Sequence, residues 1–356
     1  MINTWNGHET LNEAEFKRIL IVKPSSLGDV VHALPTFSVL RRRFPQAHIA
    51  WLVKEGWAEL LDRVEGLNEI LSVRAGVGGW LSAIRDVRSR KFDLVVDLQG
   101  LFRSGAIAWL SASPVRIGFA NAREGGPLFY THHVAVPPLR EIHGVDRNLR
   151  VAAALGACTV GPVEFPLRIT REDEERVGTL LRQAGLAPGS EWIAMSVSAR
   201  WATKRYPTES FAALADMVQT QGLGTLVFIG GSEDRAAVEA VQRSMSTKAL
   251  NLAGRTSLNL LPALLHSAEL LVTNDSGPMH VAAALGIHVV AMFGPTSPVD
   301  SGPYGSGHVV LRSGIPCSPC FSRTCRNITQ LECLHSVSPE SVFQAVRQQL
   351  ASRVAN

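Results

Sequence analysis

The chain has 356 residues, 46% hydrophobic and 19% charged, which is too long for one ordinary core and predicts two α/β domains of globular composition. The formal net charge is +4, and the excess lies wholly in residues 1–150, with 19 Lys and Arg against 15 Asp and Glu; residues 151–356 hold 16 of each. No apolar run can span a bilayer, the polar start lacks the apolar stretch of a secretory signal, and no basic run is interleaved with aromatics as nucleic-acid binding would require.

A cytoplasmic protein is therefore expected, with the basic first half suited to an anionic substrate or to peripheral contact with an anionic membrane face. Residues 1–17 read as a loose tail. Apolar runs at Ile19–Val22, Ile49–Val53, Ile70–Val73, Leu94–Asp97 and Val115–Gly118 predict strands, with helical patterns such as Val30–Phe44 and Trp80–Lys91 between them. The cations Arg41, Arg42 and Arg43 fall at a helix end, where the dipole favours them. Gly161, Pro162 and Pro166 break the pattern and divide a first domain, 18–165, from a second, 166–337. In the second domain Ile193–Val197, Thr225–Ile229, Ala249–Leu252, Leu270–Thr273 and Val289–Phe293 read as strands. Helices are expected at Pro207–Gln221, Glu233–Met245, Leu258–Ser267 and Gly277–Leu285. Continuous apolar strands alternating with helices indicate parallel sheets covered on both faces, hence two doubly wound domains. A last helix in residues 338–356 has few sheet partners of its own, which suggests that it packs back on the first domain.

Ligands of open parallel sheets bind at the carboxyl ends of strands, and three strand-end loops carry unusual residues. The first is Lys23-Pro24-Ser25-Ser26-Leu27-Gly28-Asp29. Asp29 could be a general base for a sugar hydroxyl; the plain alternative is that Ser26 or Asp29 caps the helix. The loop is neither a Walker loop nor G-x-G-x-x-G, which disfavours a nicotinamide cofactor. The second loop, Ser196 to Pro207, sets the hydroxyl of Ser198 beside Arg200, Lys204 and Arg205, a set suited to a diphosphate. The third runs Asn274-Asp275-Ser276-Gly277-Pro278-Met279-His280, with Phe293-Gly294-Pro295-Thr296 beyond the next helix. Small residues and a helix N-terminus make an anion site there, although Asp275 could be only a cap and His280 only a helix-face histidine.

No Asp-x-Asp pair is present to hold a divalent ion, so amides, hydroxyls and Lys204 would have to stabilise a leaving diphosphate. Cys317, Cys320, Cys325 and Cys333 cluster within seventeen residues and could hold a structural zinc ion, although their spacing is not that of a common zinc finger.

The segments Ile-Val-Lys-Pro-Ser-Ser-Leu-Gly-Asp-Val-Val-His-Ala-Leu-Pro, Asp-Leu-Gln-Gly-Leu-Phe-Arg-Ser, Asn-Asp-Ser-Gly-Pro-Met-His and Phe-Gly-Pro-Thr resemble glycosyltransferase family 9, the ADP-heptose:lipopolysaccharide heptosyltransferases. The resemblance runs from about Arg18 to the last helix. Ala122-Arg123-Glu124, Phe129-Tyr130 and His143 to Arg147 look more like type I than type II, whereas the Asn-Asp-Ser-Gly segment and the cysteines look more like type II. It implies a GT-B fold, two Rossmann-like domains facing a central cleft. It implies metal-independent, inverting transfer of heptose from ADP-L-glycero-D-manno-heptose to the Kdo–lipid A inner core, with no cofactor. On the matching positions, Asp29 becomes the base and Lys204 the diphosphate ligand. Asp275, Ser276, Gly277 and His280 become the donor loop, with Glu233 on the ribose. Lys23, Arg103, Arg123 and His143 are then candidates for an anionic glycolipid acceptor. Other sequence readings are a GT-B transferase using another nucleotide sugar, or a noncatalytic nucleotide-binding protein of this fold.

Overall fold

The computed structural model describes residues 11–354. Residues 1–10 of the expected tail lie outside the described residues. From residue 11 onward the tail is tied down: Leu11 and Phe16 are buried, and Arg43 donates to the carbonyls of Asn12 and Ala14 and pairs with Glu15. Arg41 binds the carbonyls of Phe44, Pro45 and Ala47, and Arg42 pairs with Glu164. All three cations at the end of the first helix are thus engaged by neighbouring backbone or carboxylates.

The chain forms two compact units divided between Arg168 and Ile169. The division falls three residues beyond the expected join because the chain from Pro166 to Arg168 lies along residues 63–65. There Glu65 N–H donates to the Pro166 carbonyl and Arg168 N–H to the Arg63 carbonyl.

The first unit runs β1 (Arg18–Val22), α1 (Leu27–Arg43), β2 (His48–Lys54), α2 (Glu55–Leu61), β3 (Glu69–Val73), α3 (Gly76–Ser89) and β4 (Leu94–Asp97). It continues with α4 (Phe102–Leu110), β5 (Val115–Phe119), β6 (His132–Val134) and α5 (Gly144–Ala153). Its six strands are all parallel, in the order β3-β2-β1-β4-β5-β6. Ile19, Leu20, Ile21 and Val22 are fully buried, as a central strand covered on both faces requires. On one face α3 and α4 cover Leu20, Val22, Ala50, Leu52 and Val95, contributing Ala83, Val87, Ile107 and Ala108. On the other, α1 packs with α5.

The second unit begins with α6 (Arg171–Ala184), β7 (Trp192–Ser196), α7 (Thr208–Thr220), β8 (Thr225–Phe228) and α8 (Arg235–Ser244). Then come β9 (Leu250–Asn251), α9 (Leu261–His266), β10 (Leu270–Asn274), α10 (Gly277–Ala284) and β11 (Val289–Phe293). It ends with α11 (Pro298–Ser301), β12 (Val309–Arg312), α12 (Glu332–His335) and α13 (Pro339–Val354). Its six parallel strands lie in the order β12-β11-β10-β7-β8-β9. Counted from its own first strand, this is the order of the first unit, and both are the Rossmann order.

The last helix adds to the second unit's core. It packs on α7, β10 and β11, and its Val342, Phe343, Ala345 and Val346 belong to the second unit's core. Its partner is therefore the face of the second sheet, and it belongs to the second unit. Tyr206 adds a tie by donating its hydroxyl to the Val337 carbonyl at 2.6 Å.

Candidate active site

In each unit the strand order reverses between the first and fourth strands, β1 and β4 or β7 and β10. A crevice at the carboxyl ends of these strands is where such sheets bind ligands. The first and third loops singled out from the sequence follow β1 and β10, and the second follows β7.

At the first switch point, Asp29 is the third residue of α1. Its Oδ2 accepts hydrogen bonds from Ser26 N–H at 2.6 Å and Ser26 Oγ at 2.9 Å. The capping alternative thus describes one oxygen of the carboxylate. The other, Oδ1, accepts no hydrogen bond among the described residues, and Asp29 is only half-buried. One side chain therefore closes the helix and still offers an unengaged oxygen at the sheet edge.

Beneath it lies a buried polar network for which the sequence reading assigned only Lys23. Lys23 is 7% exposed and donates its ammonium to the Leu98 carbonyl at 2.6 Å. Burial lowers its pKa, and the nearby carboxylates of Asp29 and Asp97 oppose that shift. Asp97 is wholly buried. It accepts from the amides of Gln99 and Gly100 at 2.9 and 3.2 Å and from the Tyr130 hydroxyl at 2.7 Å. Burial raises its pKa, and these hydrogen bonds draw it back. Gln99 Oε1 in turn accepts from Ser25 N–H at 3.3 Å. The loop after β4 thus braces the loop that carries Asp29. Asp97 and Gln99 stood in the Asp-Leu-Gln-Gly segment, but nothing in that string reveals a partner as distant as Tyr130.

The other first-unit candidates stand nearer solvent. Arg103 is exposed, with its guanidinium 5.0 Å from the centre of the Trp80 ring. Arg123 is exposed, and its N–H holds the Gly100 carbonyl at 3.0 Å. His143 caps α5 by accepting from Val145 N–H at 3.2 Å, with its ring edge-on to His32 at 4.8 Å between centroids.

At the second switch point, Lys204 Nζ lies 2.5 Å from Asp275 Oδ2, which also accepts from Thr296 Oγ1 at 2.6 Å. The Asp275 side chain is 4% exposed and that of Lys204 17%. Asn274 fastens the loops together: its Oδ1 accepts from Tyr206 N–H and its Nδ2 donates to the Val197 carbonyl, each at 2.9 Å. Ser276 opens α10 and shares a hydrogen bond of 2.9 Å with Thr273. The first-turn amides of Gly277 and Met279 are available to an anion, while Pro278 has none. Ser198 and His280 are buried and Arg200 is exposed. Glu233 is exposed in the turn Ser232–Asp234 after β8. The sequence reading gave no role to Trp201 or Arg323, yet Lys204 and Arg323 lie 4.9 and 5.0 Å from the Trp201 ring centre. Arg323 comes from the cysteine-bearing loop and adds a second cation beside Lys204.

The arrangement offers a carboxylate oxygen at one switch point and, at the other, cations, hydroxyls and helix amides of the kind that bind a diphosphate. The model of glycosyltransferase family 9 (heptosyltransferase) matches residues 80–330. The chain belongs to this family. This family 9 transferase is 30% identical over 327 residues to lipopolysaccharide heptosyltransferase 1 of Pseudomonas aeruginosa, covering 86% of this chain and 87% of that one. Its fold matches the family 9 glycosyl transferase of Veillonella parvula with a TM-score of 0.82 at 26% identity, covering 95% and 98% of the two chains. It also matches the E. coli heptosyltransferase WaaC with ADP, with a TM-score of 0.72 at 21% identity, covering 93% and 99%. The protein is a glycosyltransferase with the paired Rossmann-like domains of the GT-B fold.

The expectation of a structural zinc ion is not met. Among the described residues no group of three or more His, Cys, Asp and Glu is disposed to hold a metal. Burial, and then the nearby Cys317, Cys320 and Cys325, raise the pKa of Cys333. Asn327 Nδ2 lies 3.8 Å from Cys317 Sγ, Leu331 N–H donates to Cys325 Sγ at 3.3 Å, Cys320 is exposed and Cys333 is buried.

Proposed function

We propose that this transferase moves L-glycero-D-manno-heptose from ADP-heptose to the Kdo sugar of the lipid A inner core, inverting at the anomeric carbon and using no divalent metal. The observation that carries the reading is Asp29, with one oxygen committed to Ser26 and the other unengaged at the switch point of the first sheet. The name of the Pseudomonas relative and the ADP of the E. coli structure support the substrates.

In this reaction Asp29 Oδ1 takes the proton of the acceptor hydroxyl as its oxygen bonds to the anomeric carbon. The bond from that carbon to the diphosphate oxygen breaks, and the electron pair leaves with ADP. Lys204 and the amides of Gly277 and Met279 stabilise the charge that develops there. Lys204 exchanges part of its pairing with Asp275 for the phosphates, and Ser198, Arg200, Ser276 and His280 complete the diphosphate site. Glu233 accepts from the ribose. Arg103, Arg123 and His143 receive the anionic glycolipid, with the charge of Lys23 behind them. The acceptor sets the working place at the cytoplasmic face of the inner membrane. The contact in this reading is peripheral; no helix among the described residues is long and apolar enough to cross a membrane.

The test is transfer from ADP-heptose to Kdo2–lipid A, compared with an already heptosylated core, with a chelator present. Asp29→Asn should lower kcat about 10²–10⁴-fold, the usual worth of a general base, with ADP affinity retained. Near-normal turnover in that variant would reject the base, and loss of activity in chelator would reject metal independence.

A further inference from the structure

We propose that the edge of the first sheet carries a docking surface for an anionic lipid bilayer, built on the first turns of α3 and α4. The inference rests on the glycolipid acceptor proposed above and names the surface that would present it.

Three large apolar side chains stand out in solvent there: Val77 is 77% exposed, Leu81 58% and Phe102 55%. They belong to the helices that follow β3 and β4, so they line the same carboxyl edge as the loop bearing Asp29. The two turns are joined, because Arg103 at the start of α4 lies over the ring of Trp80 in α3 at 5.0 Å. Phe102 packs edge-on against Phe129, with 5.2 Å between ring centroids, and so extends the apolar surface toward the exposed Leu128. Trp109 is exposed too, but at the opposite end of α4, and takes no part. Single exposed apolar residues are ordinary; a joined group at the rim of a candidate site is the kind that marks an interaction surface.

The charge around this group selects the partner. Arg74 precedes α3, 4.0 Å from Glu55, and Arg103 lies in the first turn of α4. Arg74, Arg85, Arg103 and Arg123 are all exposed. An apolar centre with a basic surround matches acyl chains beneath anionic headgroups. A second copy of this chain fits poorly, since a two-fold contact through this patch would set arginines against arginines.

The experiment measures binding of the full chain to phosphatidylcholine vesicles with and without phosphatidylglycerol, alongside transfer to a deacylated, water-soluble Kdo acceptor. The wild type should bind the anionic vesicles only, and less in high salt as the headgroup attraction is screened. The triple variant V77S/L81S/F102S should lose at least about 30-fold in vesicle affinity, the scale expected for withdrawing three apolar side chains from a bilayer. Its transfer to the soluble acceptor should stay within about twofold of wild type. Equal binding to neutral vesicles, unchanged binding by the variant, or a wild-type dimer that the variant dissolves would overturn the proposal. If the triple variant melts at a lower temperature, R74E/R85E replaces it and must lose anionic vesicle binding. Vesicle binding without any heptose transfer would leave this surface standing and remove the substrate assignment instead.

Discussion

Replacing Tyr130 with Phe removes one oxygen atom from the network under Asp29. The hydroxyl donates to Asp97 Oδ2 at 2.7 Å, and Asp97 has no exposed surface. The remaining donors, including the amides of Gln99 and Gly100, cannot replace it. A buried charged acceptor that loses one partner costs about 2–3 kcal/mol. In a unit of this size that is a fall in Tm of roughly 5–10 °C. The pH dependence gives the sharper test. Burial raises the pKa of Asp97, so its contribution to stability is fully present below the unfolded carboxyl value and fades as pH rises through the folded one. The Tyr130 bond lowers that pKa and favours the ionised form, so its loss raises the pKa further. The deficit of Tyr130→Phe should therefore be largest near neutral pH and narrow as the buffer is made acidic. Thermal melts of both proteins across that range measure it. Turnover should fall as well, because the braced loop holds Lys23 and Ser25, while ADP affinity should not change. A deficit that is the same at every pH, or a variant as stable as wild type, would refute the reasoning.

Two further outcomes follow from the second unit. Lys204→Met leaves Asp275, with its side chain 4% exposed, facing the Thr296 hydroxyl without its cation, a loss of about 3 kcal/mol together with weaker ADP binding. The double variant Lys204→Met/Asp275→Asn should recover the stability but not the ADP affinity, as melting and calorimetric titration would show; failure to recover would deny the coupling. Titration with a thiol reagent should modify the exposed Cys158, Cys317 and Cys320 first, Cys325 more slowly and Cys333 last, since burial raises the pKa of its thiol. Protection of the four clustered cysteines until a chelator is added would restore the zinc reading.

The central strands were legible in the sequence because they are buried on both faces and read as unbroken apolar runs. The edge strands β6, His-His-Val, and β12, Val-Val-Leu-Arg, were missed because a short, partly exposed edge leaves little pattern. The helix α6 was missed for a different reason. Its face is mostly polar, but its signals were present: Thr170 caps it reciprocally with Asp173, and Gly185 ends it at φ 106°. Of the candidate site, residues in strand-end loops could be named from position and chemistry alone, as Asp29, Lys204 and Asp275 were. Tyr130, Thr296 and Arg323 act through contacts with residues far away in sequence, and no local spacing announces those. The four thiols, near in sequence, also stay near in space, where burial and then Cys317, Cys320 and Cys325 raise the pKa of Cys333.

One apolar cluster draws its residues from the first unit and another from the second. Mutational drift in one of these clusters can then proceed without repacking the other. The gene can exchange or diversify one module while inheriting its companion intact.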